Sequence, residues 1–323
     1  MQDKFSFRTL ATNGIHLRVA LEDGEGPLVI LVHGWPELWY SWRHQIRPIA
    51  EAGYRVAVPD MRGYGGSTKP LRVESYDMAH MMADIVGLID RLSEETAILV
   101  GHDWGAPICW NTAALHPDRV AAVTCLSVPY RRRREVSLIE LWRRLYKDKF
   151  FYQLYFQEEG VAEAEFEADV RTALRKIYYS LSGEAAPTHT WTERKPDSTM
   201  LGPLVDPDPF PAWLTEHDLD YFVENFEAGG FRGPINRYRN QDKDFIDLPE
   251  IGTARIRQPS AFMAGSEDVV RRFVHNHDGY ANVDELCDDM RLIRIIDGAG
   301  HWVQQEAPDA INAALLEFLA TLD

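Results

Sequence analysis

A chain of 323 residues is too long for a small single-core module and fits one large domain, or one domain carrying an insertion. Hydrophobic residues make up 45% and charged residues 26%, which excludes disordered, collagen-like and coiled-coil chains. Lys plus Arg number 34 against 50 Asp plus Glu, and the net charge of −16 repels a nucleic-acid backbone and an anionic membrane, so neither is expected as a partner.

Cys109, Cys125 and Cys287 are sparse, odd in number and far apart, which reads as neither a disulfide framework nor a metal site. The start, Met1-Gln2-Asp3-Lys4-Phe5, lacks the charged region, apolar run and cleavage site of a secretion signal. No stretch approaches the ~20 apolar residues of a membrane span. A soluble, cytoplasmic protein is expected.

In chain order, Phe5–Leu10 and His16–Leu21 flank Asn13-Gly14, a strong hairpin signal. The next apolar run, Pro27–Val32, is continuous, as in a strand buried on both faces. Similar runs follow at Arg55–Pro59, Ala97–Gly101, Val120–Leu126, Ser260–Ala264 and Leu292–Ile296. Stretches with helical spacing, such as Met78–Arg91 and Pro107–His116, lie between them. This alternation predicts an α/β domain with a mostly parallel sheet and helices on both faces. It fails between about Pro129 and Pro249, where aromatic-rich helical stretches and the Pro-rich span Gly202–Pro211 occur. The simplest account is a helical insertion, giving core 1–129, insertion 130–250 and core 251–323. The run Arg131–Arg134 at its start reads as a solvated hinge, not a nucleic-acid patch, given the overall charge.

The sharpest local signal is Gly101-His-Asp-Trp-Gly105, between a strand pattern and a helix pattern. A Gly-x-Asp-x-Gly turn puts Asp103 where a strained strand-to-helix elbow presents a nucleophile. The plain alternative is a helix N-cap. A carboxylate is already ionised near neutrality and can attack an sp3 carbon to form an ester. That ester needs activated water, so the pattern predicts a histidine acting on water. Gly298-Ala-Gly300-His301 supplies one after a late strand. Glu267 or Asp268, ending the strand before it, can orient it. The order nucleophile, acid, histidine is the one expected when all three sit at strand ends. The backbone N–H groups of Trp35, in Val32-His-Gly-Trp-Pro-Glu37, and of Trp104 are candidates to hold charge on the Asp103 carbonyl oxygen. His33 and His102 read as packing residues behind the site.

With these residues assembled, His33-Gly-Trp-Pro-Glu37, Gly101-His-Asp-Trp-Gly-Ala106 and Gly300-His-Trp302 resemble the soluble-type epoxide hydrolases of the α/β-hydrolase fold. The resemblance covers nearly the whole chain. It makes the insertion a helical cap, in which Gln153–Gln157 and Phe231–Asn240 look like the family's two cap motifs. Each such motif contributes a tyrosine facing the nucleophile, which implies Tyr155 and Tyr238. The neighbours Phe150, Phe151, Tyr152 and Phe156 read as cap core or apolar pocket wall, and Pro36, Phe156 and Trp302 as substrate-pocket residues. The resemblance also implies a cis Trp35–Pro36 bond and favours Asp268 over Glu267. Mammalian relatives carry an extra phosphatase-like domain; this chain opens at the hydrolase, so that activity is not expected.

The implied reaction converts an epoxide and water to a vicinal diol. Asp103 attacks an oxirane carbon while Tyr155 and Tyr238 hold the oxygen, and His301, oriented by Asp268, activates water to cleave the ester. No cofactor or metal is implied, and the partner is a small-molecule epoxide. The base should fail below about its ordinary pKa of 6.5. Two alternatives stand beside this: a haloalkane or haloacid dehalogenase on the same fold, with indole N–H groups for the halide, and a non-catalytic ligand-binding relative. A homodimer through an apolar cap surface is compatible with the sequence.

Overall fold

The computed structural model describes residues 5–185, 193–274 and 276–322. Met1–Lys4, read above for a targeting signal, lie outside them. Asn13 and Gly14 both take positive φ, 44° and 74°, and turn β1 (Ser6–Thr12) back onto β2 (Ile15–Glu22) as the Asn-Gly signal predicted.

The sheet continues with β3 (Leu28–Val32), β4 (Arg55–Pro59), β5 (Ala97–His102), β6 (Val120–Leu126), β7 (Ile256–Gly265) and β8 (Cys287–Ile296). Its order is β1-β2-β4-β3-β5-β6-β7-β8; β1 and β2 pair antiparallel, β2 meets β4 antiparallel, and every later pair is parallel. The continuous run read as a two-sided strand is one: Leu28–Val32 is buried throughout. Each such aliphatic side chain contributes about 1.5–3 kcal/mol by leaving water. Leu292–Ile296 departs from that reading. β8 closes the sheet, pairs only with β7, and alternates in exposure, with Ile293 and Ile295 outward. The Pro308–Leu319 helix packs against β8, which leaves its other residues to solvent.

β6 and β7 are hydrogen-bonded neighbours, Val123 opposite Ser260, although about 130 residues separate them in sequence. Among the described residues everything between them is helix or loop, from Leu138–Leu145 to Gln241–Asp247. Local signals start these helices. Ser137 accepts from the Glu140 N–H, and Thr215 and Asp218 form a capping box at Glu216–Gly229. The insertion leaves the sheet at the C-terminal end of β6, and its Tyr152 and Tyr238 line one cavity with Asp103, which follows β5, so it lies over the C-terminal edge. In an open parallel sheet that edge is where ligands bind.

Candidate active site

Asp103 sits at φ +49°, a left-handed conformation that a non-glycine residue adopts only where its surroundings hold it. The flanking glycines make the elbow sterically feasible. A Cβ on Gly101 would lie 2.3 Å from the Gly105 carbonyl oxygen, and one on Gly105 would lie 2.0 Å from that of Val32. The strained turn presents the Asp103 carboxylate between two expected partners. The Trp35 backbone N–H donates to Oδ1 at 2.7 Å, and His301 Nε2 stands 3.4 Å from Oδ2. The Trp35–Pro36 bond is cis, as the resemblance implied.

His301 Nδ1 lies 3.1 Å from Asp268 Oδ1, and Asp268, fully buried, also accepts the Val270 N–H at 2.9 Å. Glu267 instead pairs with Arg272 on the surface, which resolves the choice left open by the residues alone. Burial would lower the His301 pKa, yet the charges of Asp268 and Asp103 outweigh it and hold the imidazole well above its ordinary range. Burial would raise the Asp268 carboxyl; the facing His301 and its hydrogen bonds hold it below its usual value.

The cap places its tyrosines differently from the expectation. Tyr238 lines the cavity beside Asp103, edge-on to Trp104 with ring centroids 5.2 Å apart. Tyr155 does not: its hydroxyl donates to Glu165 Oε2 at 2.9 Å, and it borders neither pocket at Asp103. Glu165 also accepts the N–H groups of Met200 and Leu201, so Tyr155 belongs to a polar knot inside the cap. Tyr152, at the other end of the same one-turn helix, takes the pocket position. Its ring lies 5.8 Å from that of Tyr238, and its hydroxyl accepts from Gln153 Nε2 at 2.9 Å. Burial first, then the charge of Asp103, pushes the pKa of both phenols upward, so both keep their protons and both feel the carboxylate. An aromatic run from Phe150 to Phe156 was the only trace of Tyr152 in the sequence.

The three expected pocket residues stand one layer back. Pro36 offers its carbonyl to the Tyr178 hydroxyl, Phe156 packs on Trp35 and Tyr238, and the Trp302 indole donates to the Tyr178 carbonyl. None borders the cavity, where side chains from other elements, among them Tyr152, Phe273 and Val270, take the lining positions.

His33 and His102 are buried behind the site. His102 Nδ1 faces Glu37 Oε2 and its Nε2 faces the His301 carbonyl, both at 2.7 Å. Glu37 also accepts the Gly34 N–H and the Gln304 side chain. Burial would raise its pKa, but His102 and these donors hold it below the usual value. The buried contacts of Glu37 and His102 thus tie the Trp35 loop, the elbow and the His301 loop together. Glu306 adds a clamp, accepting the N–H groups of Gly300, Trp302 and the cap's Gly183, and burial pushes its carboxyl up to about 7.

The cavity over Asp103 has about 270 Å³, and Asp103, Trp104, Tyr152 and Tyr238 are among its lining residues. A second pocket of about 20 Å³ joins Asp103, Trp35 and His301, enough for one water molecule. Among the described residues no cluster of His, Cys, Asp or Glu has metal-binding geometry, and no helix is long and apolar enough to cross a membrane.

A family model for the alpha/beta hydrolase fold matches residues 27–308, so the chain is an α/β-hydrolase-fold protein. It is 44% identical over 320 residues to epoxide hydrolase A of Mycobacterium tuberculosis, covering 98% of each chain, and 37% identical to epoxide hydrolase 2 of Siraitia grosvenorii, covering 98% and 99%. The crystal structure of epoxide hydrolase A from Mycobacterium thermoresistibile superposes with a TM-score of 0.92 at 42% identity, with 98% of each chain covered. The chain belongs to the epoxide hydrolase family.

Proposed function

We propose that the protein opens epoxides in two steps through a covalent ester on Asp103. The arrangement that carries this reading is the Asp103 carboxyl group at the elbow, sharing a largely apolar cavity with two protonated phenols. Oδ2 attacks an oxirane carbon and the C–O bond breaks. The leaving oxygen takes a hydrogen bond from each of Tyr152 and Tyr238, and one of them delivers its proton. Oδ1, already on the Trp35 N–H, becomes the ester carbonyl oxygen.

In the resting enzyme two carboxylates favour the protonated form of His301. Esterification removes the charge of one of them. The imidazole pKa then falls, and its neutral form, the one that can accept a proton, becomes available at the moment water must be activated. The 20 Å³ pocket beside His301 supports the placing of that water. Its attack on the ester carbonyl develops charge on Oδ1, which the Trp35 and Trp104 amides stabilise; as the ester C–O bond breaks, the departing alkoxide takes the proton that His301 drew from water, the Asp103 carboxyl so released returns a proton to the tyrosinate, and the diol leaves. Residues 130–250 act as the cap supplying the phenols. We also infer a cytoplasmic location. A homodimer is supported by exposed Leu138, Leu145 and Ile246 on cap helices, and sedimentation velocity tests it.

A single turnover in 18O-water is the decisive test. The first diol should carry oxygen from Asp103, and the label should be found in that residue. Solvent label in the first diol means direct water attack and ends the covalent scheme. His301→Gln should accumulate an adduct heavier by one substrate mass; an inactive, unmodified variant counts against it.

A further inference from the structure

The backbone of His301 is held from two sides. Its carbonyl faces His102 Nε2 at 2.7 Å and accepts the Ser127 hydroxyl at 3.2 Å, both from the core. Its N–H donates the other way, to the Leu181 carbonyl at 2.8 Å, at the end of the cap helix Val170–Leu181. The same helix takes the Trp302 indole on its Tyr178 carbonyl, and the Tyr178 hydroxyl donates to the Pro36 carbonyl, so one cap helix grips both loops that bear on Asp103. The contact leaves no room for side chains. A Cβ on Gly183 would lie 1.9 Å from the Gly298 oxygen, and one on Gly300 would lie 2.3 Å from the Gly183 nitrogen. Neither Gly183 nor Gly300 takes a positive φ, so the requirement is one of space.

Glu306 closes this contact. It ends the one-turn helix Val303–Glu306 that follows the histidine. Its Oε2 accepts the N–H groups of Gly300 and Gly183 at 2.9 and 2.8 Å, and its Oε1 accepts that of Trp302 at 3.0 Å. Three amides thus converge on one carboxyl group: from the residue before His301, from the residue after it, and from the cap. These donors favour the ionised form, against burial and the Asp268 charge, which disfavour it. Glu306 borders neither pocket at Asp103, so it acts through what it holds. Leu181 does border the small pocket shared by Asp103, Trp35 and His301. The space assigned to the hydrolytic water is therefore walled by the cap segment that carries the His301 N–H. Ester formation draws on other contacts: the Trp35 N–H on Asp103, and phenols on the helices Tyr152–Tyr155 and Arg232–Arg239.

We propose that Glu306 is a positioning residue for the second step: by clasping the cap to both sides of His301 it sets the reach of the imidazole to the hydrolytic water, and it takes no part in ester formation. This rests on the two-step epoxide-opening reading and adds to it that the seating of the cap sets the base.

Stopped-flow fluorescence of Trp35 and Trp104, which border the two pockets, follows both steps with styrene oxide. Glu306→Gln puts an NH2 group where an acceptor stood, so one of the three amides loses its partner. Ester hydrolysis, and kcat with it, should fall about tenfold or more, as a displaced base requires. Ester formation, and hence kcat/KM, should stay within about threefold, and the ester should accumulate as a mass adduct. Gly183→Ala disturbs the clasp from the cap side and should give the same split. In both variants the low-field NMR resonance of the proton between His301 Nδ1 and Asp268 should shift. Equal loss in both steps, no loss in either, or failure of both variants to fold overturns the proposal. If the wild type forms no ester with styrene oxide or any other epoxide, the epoxide-opening reading fails instead. The clasp is then decided by the resonance alone, and an unmoved resonance overturns it.

Discussion

Floor and lid of the cavity are held by different forces. On the floor, Asp103, Asp268 and His301 follow β5, β7 and β8, and backbone geometry holds the two carboxylates: a positive φ at the elbow, the Trp35 N–H on Asp103, the Val270 N–H on Asp268. On the lid, Tyr152, Tyr155 and Tyr238 ride on short helices, and side-chain partners decide which way each ring turns. Glu165 captures one phenol, while the aromatic packing around Trp104 and Phe156 leaves another facing the nucleophile. Positions set by backbone are rigid but intolerant of change. Positions set by side chains can be reassigned by a single substitution.

The largest effect should come from the floor. Asp103→Ala should reduce turnover by about 10⁴-fold or more, because the group that forms the bond is gone; retention of a tenth of the activity would move the nucleophile elsewhere. Behind the floor, Glu37→Ala leaves buried His102 without its carboxylate, which should cost about 3–5 kcal/mol of unfolding free energy in a denaturant titration. A change under 1 kcal/mol would mean that the pair does not brace the loops.

The lid sharpens the contrast. Tyr152→Phe should slow ester formation by about 10²-fold, within the usual range for a lost proton donor. Tyr155→Phe should leave stopped-flow alkylation rates within about twofold, since its hydroxyl serves Glu165. Reversed sensitivities would restore Tyr155 to the pocket.

The smallest effect is a shift of titration. His301 is held above its ordinary range by two carboxylates, so its neutral form appears only as pH rises through that elevated value. Asp103→Asn removes one charge, and NMR titration of His301 should then give a lower pKa than in the wild type. For the same reason the acid limb of the ester-hydrolysis step should lie below the pKa of His301 in the free enzyme. An unchanged titration in the variant would show that Asp103 does not set the base.

The elbow, the histidine, its acid and the strand–helix alternation were readable in the residues, because each depends on local chemistry: glycines where a Cβ would clash, aliphatic runs where both faces of a sheet are covered, Asn-Gly where both φ values turn positive. The resemblance supplied the cap and its tyrosine motifs, yet which phenol of Tyr152-Gln-Leu-Tyr155 faces the nucleophile depended on Glu165, ten residues beyond Tyr155 and on another helix. Likewise the run Arg131–Arg134 has the same sequence whether it lies open to solvent or, as here, rims the cavity over Asp103. Gly252, about 120 residues further on, holds it at the rim. The sequence by itself therefore determined the sheet and the order in which Asp103, Asp268 and His301 follow its strands, since strand ends are placed by backbone hydrogen bonding and burial. Only the tertiary structure decided which side chains face the substrate from the lid and the rim, because those directions follow from partners that no local pattern encodes.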